Sequence, residues 1–338
     1  MASTIAKIVG RPTWQQTMLR IKDPSKSIPF YTDQMGMTII DTLDFPQWKF
    51  KLWFLTTLPT GQKYTLTPGT KEAHDYMWSI EGTALELTYN YGSEEDDSQN
   101  YHPGNDGERD GFGHLGFNTD DVYEACDTLE KAGVTFKKKP EEGRMKGIAF
   151  AYDPDGYWVE ILKRAETNKI PNYFNFSQTM LRITDPSKTI PFYEAFGMTV
   201  VRQKDYGDFS NYFLASSSNV DTTVDYTSLS DIEAKAKMSM MFGPILELTH
   251  NHGTEKEEDF KHNNGNEEGK QGFGHIGFIV DDVYKACDSI RELGYGFRKE
   301  PDGGGMKGLA FAYDPDGYSI EIIKRGGIDF GDKKVDES

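Results

Sequence analysis

LELTYN, Leu85 to Asn90, has the alternation of a half-buried β-strand, with Leu85, Leu87 and Tyr89 on one side and Glu86, Thr88 and Asn90 on the other. A carboxylate inside an apolar run is costly to bury without a partner. The same words return as LELTHN, Leu246 to Asn251, so the anomaly is built twice. Other stretches return with it. QTMLRIKDPSKSIPFYTDQMGMT from Gln16 reappears as QTMLRITDPSKTIPFYEAFGMT from Gln178, and DGFGHLGFNTDDVYEACD from Asp110 as QGFGHIGFIVDDVYKACD from Gln271. GIAFAYDPDGYWVEILKR from Gly147 reappears as GLAFAYDPDGYSIEIIKR from Gly308. The offset is about 161 residues at every point, which marks a tandem duplication.

The duplication sets the expected boundaries. A first half spans 1–164, AETNKIPN at 165–172 is the linker, and a second half spans 173–326. The polar, Gly/Asp-rich tail at 327–338 is expected to be disordered. The first half divides again into modules at about 14–95 and 110–164. QQTMLRI reads as a strand and DPSKSIPFYTDQM as a short helix, with Asp23 as N-cap and Pro24 in its first turn. GMTIIDTL, KLWFLTT and ALELTYN are three further strands. FGHLGFNT, the helix DVYEACDTLEKAG, VTFKKK, GIAFAYDPDG and YWVEILK repeat that order. The unit is β-α-β-β-β, four times over, which predicts an α+β fold of curved, mostly antiparallel sheets. Helices covering one face of each sheet leave the other free to curl around a cavity.

Composition narrows the partners. A net charge of -17 leaves no surplus of Lys and Arg to neutralise nucleic-acid phosphates or an anionic membrane. The two cysteines, Cys126 and Cys287, sit at equivalent places in DVYEACDTLE and DVYKACDSI, where buried thiols on a helix face are expected. That fits a reducing compartment. MASTIAKIVGRP lacks the apolar core of a signal peptide, so the cytoplasm is the expected location, with a short organelle-targeting extension left open.

Side-chain alternation assigns each odd polar residue to a face. Gln16 shares a face with Trp14, Met18 and Arg20, Glu86 with Ala84, Thr88 and Asn90, His114 with Phe112 and Gly116, and Glu160 with Trp158. In each strand the apolar partners can face the helices while the named residue looks into the concave side. Singly, a strand Gln is usually surface and a His in an apolar strand usually a hydrogen-bonded core residue. As a set, one Gln, two Glu and one His recur in the second half as Gln178, Glu247, His275 and Glu321. This mix of O and N donors, with two carboxylates to balance a 2+ charge, suits a borderline or hard divalent cation. Arg20 lies four residues beyond Gln16 and Asn90 four beyond Glu86, roughly 13 Å along the strand. Arg182 and Asn251 repeat this arrangement. A cation at one end and a guanidinium plus an amide at the other fit an elongated anionic ligand with a reactive end. The plain alternative is an Arg paired with a local carboxylate.

QTMLR, LELT.N, GFGH.G and DPDGY..E, in that order and spacing, resemble the eukaryotic glyoxalase I family (lactoylglutathione lyase) of the vicinal-oxygen-chelate fold. The resemblance runs twice, from about Gln15 to Arg164 and from Ser177 to Arg325, and is closest to the fused, two-site form. It implies sites that join the halves crosswise: Gln16, Glu86, His275 and Glu321 in one, Gln178, Glu247, His114 and Glu160 in the other. The implied cation is zinc, with nickel or cobalt also possible, since donor types do not separate these ions. The implied substrate is the hemithioacetal of methylglyoxal with glutathione as co-substrate, isomerised to S-lactoylglutathione without a redox cofactor. Arg20, Asn90, Arg182 and Asn251 would hold glutathione, with Lys146 and Lys307 as weaker candidates. Glu160 and Glu321 would act as bases, with Glu86 and Glu247 serving the other face or remaining ligands. A fused chain is expected to be a monomer with pseudo-dimeric halves.

Departures from the family pattern accompany the match. Asp110 and Gln271 stand where Arg often precedes GFGH, Trp158 is matched by Ser319, and Arg144 by Gly305, so the two cups are expected to differ kinetically. An extradiol dioxygenase of this fold would hold iron through two His and a Glu, and Gln16 and Gln178 stand against it. An epimerase acting on a CoA thioester, a drug-sequestering binding protein and a metal-binding protein with one degenerate site also compete with the glyoxalase reading.

Overall fold

The computed structural model describes residues 7–107, 109–164 and 174–328. The first module holds β1 (Thr13–Ile21), α1 (Pro24–Pro29), β2 (Thr38–Phe45), β3 (Phe50–Thr56), α2 (Lys71–Met77) and β4 (Ala84–Asn90). The second holds β5 (Phe112–Thr119), α3 (Val122–Lys131), β6 (Phe136–Lys138), β7 (Ala149–Tyr152) and β8 (Trp158–Lys163). The third is β9 (Asn175–Ile183), α4 (Pro186–Ala195), β10 (Thr199–Asp205), β11 (Phe209–Ala215), α5 (Asp231–Met238) and β12 (Ile245–Asn251). The fourth is β13 (Phe273–Val280), α6 (Val283–Glu292), β14 (Phe297–Lys299), β15 (Ala310–Tyr313) and β16 (Ser319–Lys324). Four β-α-β-β-β units are present as expected, with α2 and α5 inserted in the first and third.

Local chemistry starts and stops these helices. Asp23 and Asp185 accept from the backbone N–H of Ser25 and Ser187, and Pro24 and Pro186 occupy first-turn positions where a missing N–H costs nothing. Pro29 lies inside the first of these helices, and there the chain passes from α-helix to a π-turn over Phe30–Gln34. α3 and α6 bury Val122, Ala125, Cys126 and Leu129, and Val283, Ala286, Cys287 and Ile290. Burial pushes both thiols up to about 12, which leaves them protonated and inert.

The strands form two eight-stranded sheets, ordered β14-β15-β16-β13-β1-β4-β3-β2 and β10-β11-β12-β9-β5-β8-β7-β6. Each sheet therefore takes four strands from each half. The seam in one is the antiparallel pair β1–β13, and in the other β5–β9. Beside each seam strand lies a parallel partner: β4 beside β1, β16 beside β13, β8 beside β5, β12 beside β9. Near the pseudo-two-fold, Thr17 Oγ1 meets Thr179 Oγ1 at 2.8 Å and the rings of Phe112 and Phe273 stack at 5.5 Å. One apolar core joins the helices to the convex faces, and separate clusters around Phe54, Leu309 and Ile323, and around Phe213 and Ile245, line the concave faces.

Three expectations need correction. Phe112 does not share a face with His114; it is buried in the main core, and a β-bulge between Phe112 and His114 resets the alternation. Trp14 does not share the concave face with Gln16; it is buried in the main core, its indole N–H donating to the Gln16 carbonyl at 3.0 Å. A β-bulge between Trp14 and Gln16 resets the alternation, and Gln15 turns instead to the Met77 carbonyl. The start of the assigned tail is also placed: Gly327 donates to the Lys324 carbonyl at 2.8 Å, and Ile328 packs on the cluster around Trp78. The linker at 165–172 and residues 329–338 lie outside the described residues.

Candidate metal centres and ligand clefts

Strand register brings the donors together. Gln16 on β1 lies opposite Gly277 on β13, and Gly277 lies beside Glu321 on β16. Met18 lies between His275 on one side and Glu86 on the other. The four side chains point into one concavity and meet. Gln16 Nε2 stands 2.6 Å from Glu86 Oε2, 2.6 Å from Glu321 Oε2 and 3.0 Å from His275 Nε2. His275 Nε2 is 3.3 Å from Glu86 Oε2 and 3.2 Å from Glu321 Oε2. The second cup repeats this: Gln178 Nε2 is 2.5 Å from Glu160 Oε2, 2.9 Å from Glu247 Oε2 and 3.2 Å from His114 Nε2. All eight residues are buried.

The glycine of GFGH.G makes room for the glutamine. A Cβ on Gly277 would stand 2.6 Å from Gln16 Cγ, and one on Gly116 would stand 2.1 Å from Gln178 Cγ. Any larger residue there expels the amide.

The arrangement fits a divalent cation. One ligand atom each from Glu86, His275 and Glu321, and one each from His114, Glu160 and Glu247, lie within 4.8 Å of one another. Gln16 Oε1 is buried with no hydrogen-bond partner. Amide O and N are assigned from their surroundings, and rotating that amide by half a turn aims the orphaned oxygen at the same point as the carboxylates and the imidazole. Burial alone would push both imidazoles down; the facing carboxylates more than reverse it. Glu321 and Glu86 hold His275, and Glu160 and Glu247 hold His114, at about 9. Burial in turn pushes Glu247 up. Two buried carboxylates against one neutral imidazole need a cationic charge between them, and a proton or a metal ion can provide it.

The outer candidates are arranged differently from the inner ones. Arg20 is half-buried and grips the other half of the chain: Nη1 donates to the carbonyls of Gly265, Gly272 and Phe273, and Nη2 to Asn266 Oδ1 at 2.9 Å. Arg182 grips Gly104, Phe112 and Asn105 in the same way. Burial lowers both guanidinium pKa values. Among the described residues no carboxylate pairs with either, which removes the plain ion-pair alternative. Asn90 Nδ2 donates to Tyr101 Oη at 3.0 Å. Asn251 is exposed, and the residue matching Tyr101 in its half is His262. Lys146 and Lys307 are exposed, and Lys146 Nζ donates to the Glu141 carbonyl. Asp110, the departure before GFGH, is engaged by its own loop, while its carbonyl accepts from Arg182 Nη1 at 3.4 Å. Its carboxylate takes His102 Nε2 at 2.5 Å and the N–H groups of Asp106 and Gly107.

Three cup residues escaped the sequence reading. Arg298 stacks its guanidinium 4.2 Å over the Phe311 ring, which lies 5.4 Å from the His275 ring. Lys137 sits 5.6 Å over Trp158, whose neighbour Phe150 lies 5.5 Å from His114. Asn211 on β11 donates to Glu247. The basic runs FKKK and FRK were a visible signal for the first two. Asn211 sits in FSNYFLA with nothing to mark it.

Comparison with known proteins agrees with this geometry. The profile of the Glyoxalase/Bleomycin resistance protein/Dioxygenase superfamily matches residues 13–161 and again 175–322. A lactoylglutathione lyase of Schizosaccharomyces pombe is 41% identical over 313 residues, 91% of this chain and 95% of that protein. Glyoxalase I of Saccharomyces cerevisiae is 37% identical over 337 residues, 95% of this chain and 96% of that protein. The crystal structure of glyoxalase I from Zea mays superposes with a TM-score of 0.64 at 26% identity, covering 93% of this chain and 92% of the other.

Proposed function

Since the chain belongs to the Glyoxalase/Bleomycin resistance protein/Dioxygenase superfamily, we propose that it is a lactoylglutathione lyase with two complete sites, each isomerising the hemithioacetal of methylglyoxal and glutathione to S-lactoylglutathione. The observation that carries this reading is the double, crosswise convergence of Gln, His and two Glu at hydrogen-bonding distance. Gln16, Glu86, His275 and Glu321 would hold one divalent ion, and Gln178, Glu247, His114 and Glu160 the other. When bound, the ion polarises the substrate oxygens and stabilises negative charge that develops on them.

The chain's residues do the rest. Glu321 and Glu160 take the proton from the substrate carbon bearing sulfur and return it to the adjacent carbon, so no atom is gained or lost. Glu86 and Glu247 stay as ligands or serve the opposite face. The buried apolar clusters around Phe54 and Phe213 would limit water beside the reacting carbons. Arg20 with Asn90, and Arg182 with Asn251, stand four strand residues from the donors and suit a ligand carboxylate. Zinc is the proposed ion, in keeping with a mixed N/O donor set.

Both sites are complete within one polypeptide, which supports a monomer. Among the described residues no helix is long and apolar enough to cross a membrane, and a cytoplasmic location is proposed. The test measures metal content, then thioester formation from methylglyoxal and glutathione before and after chelation, and after refilling with zinc or nickel. Restoration by either ion supports the reading, and full activity in a chelated, metal-free preparation removes it.

A further inference from the structure

The two donor sets match, but what holds their first carboxylates does not. On β11, Asn211 is cross-strand from Thr249. On β3, the same register position opposite Thr88 is Leu52. Buried Asn211 donates through Nδ2 to Glu247 Oε1 at 2.5 Å, while its own Oδ1 accepts from Thr249 Oγ1 at 3.0 Å. Glu247 is thereby held at one oxygen by a rigid, doubly bonded amide, and its other oxygen is left facing Gln178 and His114. Among the described residues Glu86 has no amide beside the corresponding oxygen, Leu52 standing at that position. Its Oε1 accepts, among the described residues, only from the hydroxyl of Thr88, at 3.1 Å, and a hydroxyl rotor restrains a carboxylate less than a planar amide anchored at both ends.

Resting on the two-site reading above, we propose that Asn211 is a positioning residue that locks Glu247 as a permanent ligand and makes the second site the tighter ion holder. Leu52 leaves Glu86 free to swing off the ion in the first site. Partners one shell out from a metal commonly account for 10- to 100-fold in affinity. Glu86 can then share in proton transfer, whereas in the second site that work falls to Glu160 alone.

The test follows zinc release from the full chain into excess chromophoric chelator. The unmodified protein is expected to lose zinc in two phases of equal amplitude, the slow one from the second site. Asn211→Leu is expected to speed the slow phase roughly 10- to 100-fold, merging the two. Leu52→Asn is expected to slow the fast phase, a gain that no loss of folding can imitate. Retention of a slow phase in Asn211→Leu, or an unslowed fast phase in Leu52→Asn, overturns the proposal. A chain that takes up no zinc at all would instead overturn the two-site reading on which it rests.

Discussion

At the scale of single residues, the sites depend as much on what is missing as on what is present. The donors are supplied by Gln, His and Glu, but Gly277 and Gly116 let the two glutamines lie flat between strands. Gly277→Ala is expected to displace Gln16, halve the zinc bound per chain, and cost about 1–3 kcal/mol through overpacking. Metal analysis and thermal unfolding of the variant check both. A residual content of two ions per chain would show that the amide is not needed. Arg20 illustrates the opposite case, a residue with more work than its face suggested. Its bonds to Gly265, Gly272 and Phe273 brace one half on the other, so Arg20→Ala is expected to lower stability by about 1–3 kcal/mol as well as weaken ligand binding. Arg20→Met, compared by KM and melting temperature, reports on both.

At the scale of elements, the turn DPDGY is a structural device next to the site rather than a solvated loop. Asp314 accepts from Tyr193 Oη at 2.9 Å and from the N–H groups of Asp316 and Tyr318, and Tyr318 Oη donates to the Arg182 carbonyl at 2.7 Å. The first half does the same with Asp153, Tyr31 and Tyr157. Burial and a neighbouring Asp push Asp153 and Asp314 up to about 8. A carboxyl raised in the folded state binds a proton there that the unfolded chain has already released. These two groups therefore stabilise the fold fully below about pH 4, and that contribution is lost as pH rises to about 8. Denaturant unfolding across that window is expected to show a slope that Asp314→Asn reduces. The inserts are fastened by unlike pairs at equivalent strand positions. Asp41 takes His74 and the N–H of Gly69 in the first half, and Arg202 takes Asp231 in the second. The α1 boundary was legible because its cap and its first-turn proline are local signals. The bulge at Gln15 was not, because it arises where β1 meets β13, a strand far away in the chain.

At the scale of the whole molecule, the duplication matters because neither half closes its own sheet. β1 is flanked by β4 from its own module and β13 from the last, so each site is split between halves. Paired substitutions test this. Gln16→Ala with His275→Ala damages a single site and is expected to leave roughly one site's activity and zinc. Gln16→Ala with His114→Ala damages both and is expected to leave neither. The reverse ranking would mean that each half builds a site by itself.

From the order of residues alone came the duplication, the four modules, the concave placement of Gln16, Glu86, His114 and Glu160 with their copies, and the family resemblance that assigned them crosswise. These were readable because strand alternation, helix caps and repeats are short-range patterns, complete within a few residues. Tertiary structure decided that Trp14 turns into the core, that Arg20 and Arg182 clasp the opposite half, that Asp110 faces its own loop, and that Asn211 stiffens one site while Leu52 leaves the other looser. Each of these depends on which strand lies alongside and in what register. That choice is made by packing between segments far apart in the chain, and no local window of sequence contains it.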